Sequence, residues 1–580
     1  MNANLRGWAQ IALEAVGWLL LSALAVILST WPTASQRSGH LLEPLHLPDV
    51  QGGMYWPWAC ARALAAGDPI YQRSELLWPY GQDVTLILWN HGVQLVIFPF
   101  FLFTDPVTAT NLGALWIATL NGAAGAWAGW AASGRRAGAL AGLAVAACSP
   151  YGFLEAGVGR PEQGLWAPMA LFIGGFVRIW ERPRDPIGIL LCGLGVALSG
   201  AVYWFYAIFL VVLMAITLPI AALTRSMDGA RLLGLVAAGM VSVVAVLPFL
   251  VPVLSALGDA PTVVDDAIAV NEPLLVMQSR APILFPWGFG GAFGSGLERS
   301  WRAPILLIPL CLLGLIRGRG GVRLASAMGL LAALFAAGPV WIGREYQTLT
   351  VGGYALQLPH ALLNLLPGFE RFWWPYRWQA GAIAASCVAG GWLVSRLSGR
   401  RAWWAAALLL VWSVGESAGM LRDAGVRPVL GPVVVPPVFT AIGDLQGGPR
   451  PILQMPSAWL RNSRVGWIAW HHQPIDGGMG WGMMRDRAEA HADSLSTLPL
   501  MRAIRRAQVD ADYVPPARWL PEEAGGYHYV VFYNEGPSSE RGPVRRGLKR
   551  VLGEPFYSDA SMLFWAIPGM GEIPPESPQP

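Results

Sequence analysis

Two short stretches set carboxylates beside glycines and aromatics in an otherwise apolar chain: "HLPDVQGGMYWPWA" with Asp49, and "EAGVGRPEQGLWAPMAL" with Glu155, Arg160 and Glu162. An ionised carboxylate can take a proton from a hydroxyl nucleophile, worth roughly 10²–10⁴ in rate where it operates. Arginine's planar fork suits phosphate oxygens, and Arg160, with Arg371 and Arg377 of "LPGFERFWWPYRW", supplies three such groups. Asp49 and Glu162 also offer hard oxygen ligands to a divalent cation such as Mg2+ or Mn2+. Tyr203 and Trp204 of "SGAVYWFYAIF" add aromatic faces.

Each of these residues also has a purely structural use. Asp49 is a favoured N-cap type ahead of "VQGGMYWPWACARAL", and Glu162 follows Arg-Pro where a carboxylate favours a helix dipole. Arg371, Arg377 and the "YWFY" aromatics fit a membrane-interface belt. "HHQPID" (471–476) invites a metal reading, yet adjacent histidines seldom point at one ion and no spaced His or Cys pair supports them.

Composition says where such residues must work. Of 580 residues 54% are hydrophobic and 13% charged, where soluble domains carry roughly 25% charged, and mean hydropathy is +0.44. The chain reads as an integral membrane protein. Residues 421–580 hold 16 Lys and Arg and 16 Asp and Glu, leaving 24 and 20 for the first 420. A membrane domain, 1–420, is therefore expected ahead of a more polar domain, 421–580, whose tail "GEIPPESPQP" reads as disordered. A formal charge of +4 is too small and scattered for nucleic acid. Cys60, Cys148, Cys192, Cys311 and Cys387 are dispersed and form neither a disulfide framework nor a metal knuckle.

Apolar runs at 8–30, 107–132, 137–149, 162–180, 186–201, 203–223, 231–256, 303–316, 322–342, 376–397 and 402–420 make about eleven spans. The first, at about 22 residues, exceeds a signal-peptide core and reads as an uncleaved anchor, with Glu14 near its inner end. With the N-terminus inside, short inner loops such as "SGRRAG" and "RGRGGVR", together with Arg6, collect 14 of the first 420 residues' 24 arginines against three acids, Glu181, Asp185 and Asp228. The longer segments 31–106, 257–302, 343–375 and everything after 420 then lie outside the cytoplasm. The run 86–103 carries Asn90, His91 and Gln94; as a span it would invert every later loop, so it reads as an interfacial or re-entrant helix.

This layout resembles the GT-C superfamily of polytopic glycosyltransferases, in "LPDVQGG" early in a long first outer loop and "GVGRPEQGLWAPMAL" at the fourth span. "SGAVYWFYAIFLVV", "LPGFERFWWPYRW" and "PILQMPSAW" look like stretches of large bacterial GT-C-like and YfhO-type membrane proteins. The second motif has Glu162 where the superfamily usually has Asp. The resemblance implies a mainly α helical bundle with a small α/β extracytoplasmic domain, in a bacterial inner membrane. It implies transfer of a sugar from a polyprenyl-phosphate donor in the bilayer to a glycan, lipid or protein acceptor. Asp49 would be the general base, Glu162 the second acid, and Glu155, Arg160, Arg371, Arg377, Tyr203 and Trp204 substrate contacts. A lipid or polymer transporter and a non-catalytic scaffold are the other classes. Few charges within spans and no inverted repeat weigh against the transporter.

The loop 257–302, with Asp265 and Asp266, is long and rich in Pro and Gly, as binding lids and plain connectors both are. Residues 421–580 mix strand-like "RPILQMP" and "YHYVVFYNE" with helical "GPVRRGLKRVLG", a small α/β module without nucleophile elbow or phosphate loop. The arginine asymmetry makes a direct prediction: a reporter that is active only outside the cytoplasm, fused after residue 430, is active. Activity there of a cytoplasm-only reporter contradicts this topology.

Overall fold

A computed structural model describes residues 2–574, apart from 32, 36–37, 42–47, 86–90, 260–303, 339–349, 352–353, 356, 364, 366–374, 424–430, 446, 456–461, 477–490, 492, 511 and 535–537. The 257–302 loop with Asp265 and Asp266, Arg371 and the final residues of the tail thus lie outside the described residues.

The described chain is mainly helical. The first eleven helices are α1 (Asn2–Thr30), α2 (Pro48–Ala66), α3 (His91–Phe103), α4 (Pro106–Ser133), α5 (Arg136–Ala147), α6 (Pro150–Gly157), α7 (Pro161–Gly164), α8 (Ala167–Glu181), α9 (Pro186–Val202), α10 (Trp204–Leu223) and α11 (Gly229–Asp259). Four more apolar or partly apolar helices follow at Leu307–Arg317, Gly320–Ala336, Gln379–Ser395 and Gly399–Asp423. Every expected span has its helix within a few residues, with one informative difference. The expected span 162–180 begins only at Ala167, because Pro161 and Pro168 split off the single turn α7, which carries Glu162.

Five stretches, Leu13–Thr30, Arg136–Gly157, Trp204–Leu223, Gly229–Ala256 and Gly399–Leu421, are long and apolar enough to cross a bilayer. Their outer faces turn large aliphatics to the surroundings: Leu20 is 67% exposed, Val244 70% and Leu408 66%. Such faces are stable only against lipid, and the protein is a multi-pass membrane protein. Helix α3 has 13 residues, about 20 Å of helix, too short to cross a hydrocarbon layer of about 30 Å. It packs along α2, α4 and α9 instead.

Between helices there is no hydrophobic gain in lipid, so close packing must hold them, and small residues supply it. The Gln379–Ser395 helix is buried from Gln379 through Gly391 and packs on α4, α5, α8 and Gly320–Ala336. A Cβ on Gly391 would lie 2.4 Å from the Gly129 carbonyl oxygen, and one on Gly125 2.7 Å from that of Gly142. The arginine-rich connections gather at one end of this bundle. There Arg136 pairs with Glu14 at 2.5 Å, Arg135 donates to the Ser395 and Leu397 carbonyls, and Arg178 pairs with Asp185. Glu14, the one acid in the first apolar run, thus has a cationic partner.

The C-terminal region builds a four-stranded sheet. Strand Ile452–Met455 pairs in parallel with Tyr529–Tyr533, which pairs antiparallel with Met562–Ala566, and that strand with Tyr557–Ser558. Period-two alternation divides its side chains between two buried faces. Leu453, Val530, Phe532, Leu563 and Trp565 face helices Pro499–Val509 and Ser538–Leu552. Ile452, Tyr529, Val531 and Phe564 pack instead with Tyr55, Trp56 and Trp58 of α2. Helix α2 is therefore part of the C-terminal core, and backbone bonds from Trp78 N to Ile475 O (3.0 Å) and Ile475 N to Glu75 O (2.9 Å) continue the seam.

Candidate functional site

Helix α6 ends at Gly157, and the next residues make the turn that builds the site. Gly159, at φ +91°, donates to Ala156 O (3.2 Å), and Arg160 N donates to Glu155 O (2.9 Å), a Schellman closure that needs glycine at its left-handed position. Pro161 then starts α7 with φ already suited to a helix. The first turn of α2 lies directly on this turn. A Cβ on Gly159 would come within 2.1 Å of Asp49 O, and one on Gly53 within 2.5 Å of Gly159 O. Only two glycines permit so close an approach of backbone to backbone.

That approach delivers Asp49 to Arg160. Arg160 donates from Nε (2.8 Å) and Nη2 (2.6 Å), both to Asp49 Oδ2. Among the described residues nothing donates to Oδ1, and the Asp49 side chain is 40% exposed. The carboxylate therefore turns to the arginine rather than capping its own helix. On the other side, Arg160 Nη1 stands 3.6 Å from Oε2 of Glu155, whose side chain is fully buried. One guanidinium thus serves two carboxylates, one interior and one at the surface.

Behind Glu155 lies a set of tyrosines, Tyr151, Tyr206 and Tyr376, of which the sequence pattern marks the last two only as interface aromatics. The Tyr376 hydroxyl is 3.3 Å from both Glu155 Oε2 and Gln163 Oε1. Tyr206 donates to the Gln163 carbonyl, and its hydroxyl is 3.1 Å from that of Tyr151. Asn121 of α4 clamps the α7–α8 connection, donating to Gly164 O (2.8 Å) and accepting from Ala167 N (2.8 Å). The available signal was spacing: Tyr151 precedes Glu155 by four residues and so shares its helix face.

Arg377, on the turn Pro375–Trp378, donates to the Tyr203 hydroxyl and lies 5.4 Å from the Tyr203 ring and 5.7 Å from that of Phe205. Tyr203 accordingly orients an arginine. Trp204 packs its ring on Gly200. Glu162 keeps partial access to solvent but is ringed by protein, and this burial pushes its carboxyl up to about 7. Its backbone amide and Arg377 pull the other way, while the charge of Asp49 adds to the rise. Asp49, Glu155 and Glu162 thus share one neighbourhood with Arg160 and Arg377, at net −1 when all five are ionised.

No group of three or more His, Cys, Asp or Glu able to hold a metal ion occurs among the described residues. The neighbouring histidines of "HHQPID" point to different partners. His471 Nδ1 accepts from Gln473 N (3.0 Å), and His472 Nδ1 lies 3.0 Å from Arg62 Nη1.

No family model matches the chain, and no curated protein matches it in sequence. Solved structures do. ArnT from Cupriavidus metallidurans bound to undecaprenyl phosphate is similar over 96% of this chain and 99% of that one, with 14% identity and a TM-score of 0.51. The apo form gives 97% and 100%, 14% and 0.50. The Archaeoglobus fulgidus oligosaccharyltransferase in complex with Zn and sulfate overlaps more loosely, over 95% and 73%, with 12% identity and a TM-score of 0.48. The likeness is one of fold, which the chain shares with ArnT over nearly its full length.

The raised Glu162 carboxyl has a measurable consequence. Its folded-state value, about 7, exceeds its ordinary 4.5, so the native state holds the extra proton between them and the cost of ionising Glu162 grows as pH rises through that window. Glu162→Gln removes the cost. The thermal midpoint of Glu162→Gln relative to wild type should climb from pH 4.5 to 7 and level off above. A difference independent of pH contradicts the burial of this group.

Proposed function

We propose that the chain is a membrane glycosyltransferase that moves a sugar from a polyprenyl-phosphate-linked donor to an acceptor outside the cytoplasm. The observation that carries this reading is the carboxylate of Asp49: Oδ2 is fixed by Arg160, while among the described residues nothing donates to Oδ1, which is open to an incoming hydroxyl. The GT-C fold shared with ArnT, a protein solved with undecaprenyl phosphate, supports the donor class. On the arginine asymmetry the site faces the periplasm of a bacterial inner membrane, with the N-terminus cytoplasmic.

A donor of this class keeps its tail in lipid, so its phosphate arrives at the bundle end where Arg160 and Arg377 stand. The acceptor O–H gives its proton to Asp49 Oδ1 as its oxygen bonds the anomeric carbon. The bond from that carbon to the phosphate oxygen breaks, and its electron pair leaves with the phosphate. The leaving group is stable as an anion and needs no acid. It does need positive charge, which Arg160 and Arg377 supply. The incoming phosphate competes with Asp49 for Arg160, so the base is released once the donor is in place. Glu162, titrating near neutrality, adjusts the charge of the pocket: protonated, it brings the five-residue cluster to zero before a further anion enters. Were a divalent cation such as Mg2+ or Mn2+ to bind here, Asp49 and Glu162 would be the residues to hold it, and it would supply additional positive charge.

Transfer from a series of undecaprenyl-phosphate sugars, measured in reconstituted membranes, tests the reading. Asp49→Asn keeps an oxygen for Arg160 but cannot take a proton, and activity should fall by about 10² or more with the thermal midpoint nearly unchanged. Retention above about a tenth of wild-type activity, a barrier change under about 1.4 kcal/mol, contradicts Asp49 as the base. Absence of transfer by the wild type with every donor contradicts the enzyme reading itself.

A further inference from the structure

Helix α2 runs on from Asp49 to a second feature. Its last turns, the hairpin that pairs Gln72–Arg73 with Gln82–Asp83, and the turn at His472 enclose a cleft of about 550 Å3. One wall is a stack of planar groups. The His472 ring lies on Trp58 at 5.8 Å and 19°, the Arg62 guanidinium is 5.3 Å from the Trp58 ring, and Arg62 Nη1 is 3.0 Å from His472 Nδ1. Burial, and then the charge of Arg62, hold the His472 imidazole below its usual value, so at neutral pH it accepts from the guanidinium. Among the described residues no carboxylate pairs with Arg62.

The opposite lip carries Tyr80, 68% exposed, its hydroxyl 3.2 Å from Ser494 Oγ. The floor offers Gln72, which donates to Asp83 Oδ2 (3.1 Å), and Glu75, which accepts from the Tyr55 hydroxyl (2.8 Å). Asp68 completes the polar lining. Walls so polar would desolvate badly against a lipid tail. Arg62 and Arg73 are balanced by Asp68 and Glu75, so the cleft has no field to draw nucleic acid. A sugar ring matches what remains. Its C–H face suits an exposed aromatic plane, and its adjacent hydroxyls both donate and accept, as planar amides, carboxylates and guanidinium groups require.

We propose that this cleft binds a saccharide segment. On the transferase reading above, which this role rests on, the segment belongs to the acceptor. Residues 58 to 62 follow Asp49 by 9 to 13 positions, about 14–20 Å along the helix. The acceptor is then a glycan chain long enough to lie along α2 from the cleft to the base.

The test is binding of the full-length protein in detergent to an immobilised array of neutral and acidic bacterial-envelope oligosaccharides of one to eight units. Wild type should bind the longer members of at least one class. Tyr80→Ala and Arg62→Ala, both at exposed side chains, should weaken that binding at least tenfold with an unchanged thermal midpoint. No binding by the wild type, or binding that survives both cleft substitutions, overturns the proposal. Because the readout is binding, cleft-dependent capture without any sugar transfer counts against the transferase reading and leaves the saccharide site standing.

Discussion

Arg160 is the constraint on which the rest of the site depends. It is largely buried between Glu155, wholly enclosed in the bundle, and Asp49, at the surface. A buried guanidinium is tolerable only with a carboxylate at hand, and a buried carboxylate only with a cation, so neither Arg160 nor Glu155 could stay without the other. The second carboxylate is what links two parts of the chain. Asp49 arrives on the first long loop, and its pairing with Arg160 pins that loop to the turn between α6 and α8. Gly53 and Gly159 exist in this arrangement to let the two backbones meet.

The pinned helix also fixes the C-terminal sheet. Tyr55, Trp56 and Trp58 are interior residues of that sheet's lower face, and Gln51 accepts from Gly466 N at 2.7 Å. A displacement at Asp49 would therefore be felt in the C-terminal domain, and a ligand held by that domain beside α2 would be held at a set distance from Asp49. The domain has no catalytic constellation of its own among the described residues. Its physical contribution is to bury α2 from the side opposite the bundle.

Much of this was legible in the sequence, because lipid makes strong demands. The spans follow from apolar length, and the arginines of the short loops do gather at the end of the bundle away from Asp49. Of the residues picked from local pattern and from the GT-C resemblance, Asp49, Glu155, Arg160, Glu162, Arg377 and Tyr203 share one neighbourhood, Trp204 packs on Gly200, and Arg371 lies outside the described residues. What local pattern could not give was the pairing. Asp49 and Arg160 are 111 residues apart, and nothing in either stretch names its partner. The tyrosines behind Glu155 were hidden for a similar reason: an aromatic with a polar tip reads as an interface residue until its hydroxyl is seen facing inward. The break at α7 was printed in the sequence as Arg-Pro-Glu-Gln-Gly, but hydropathy averages over it. The engagement of α2 with the sheet depends on strands more than 380 positions later and left no local trace.

The most direct test of the account is an experimental structure of the protein with a non-transferable polyprenyl-phosphonate sugar bound. The phosphonate should accept hydrogen bonds from Arg160, with Arg377 beside it, and the anomeric carbon should lie next to Asp49 Oδ1. A donor head seated elsewhere on the bundle, with Arg160 still closed on Asp49 and Glu155, would reduce the shared arginine to a structural clasp and contradict the assignment of this site.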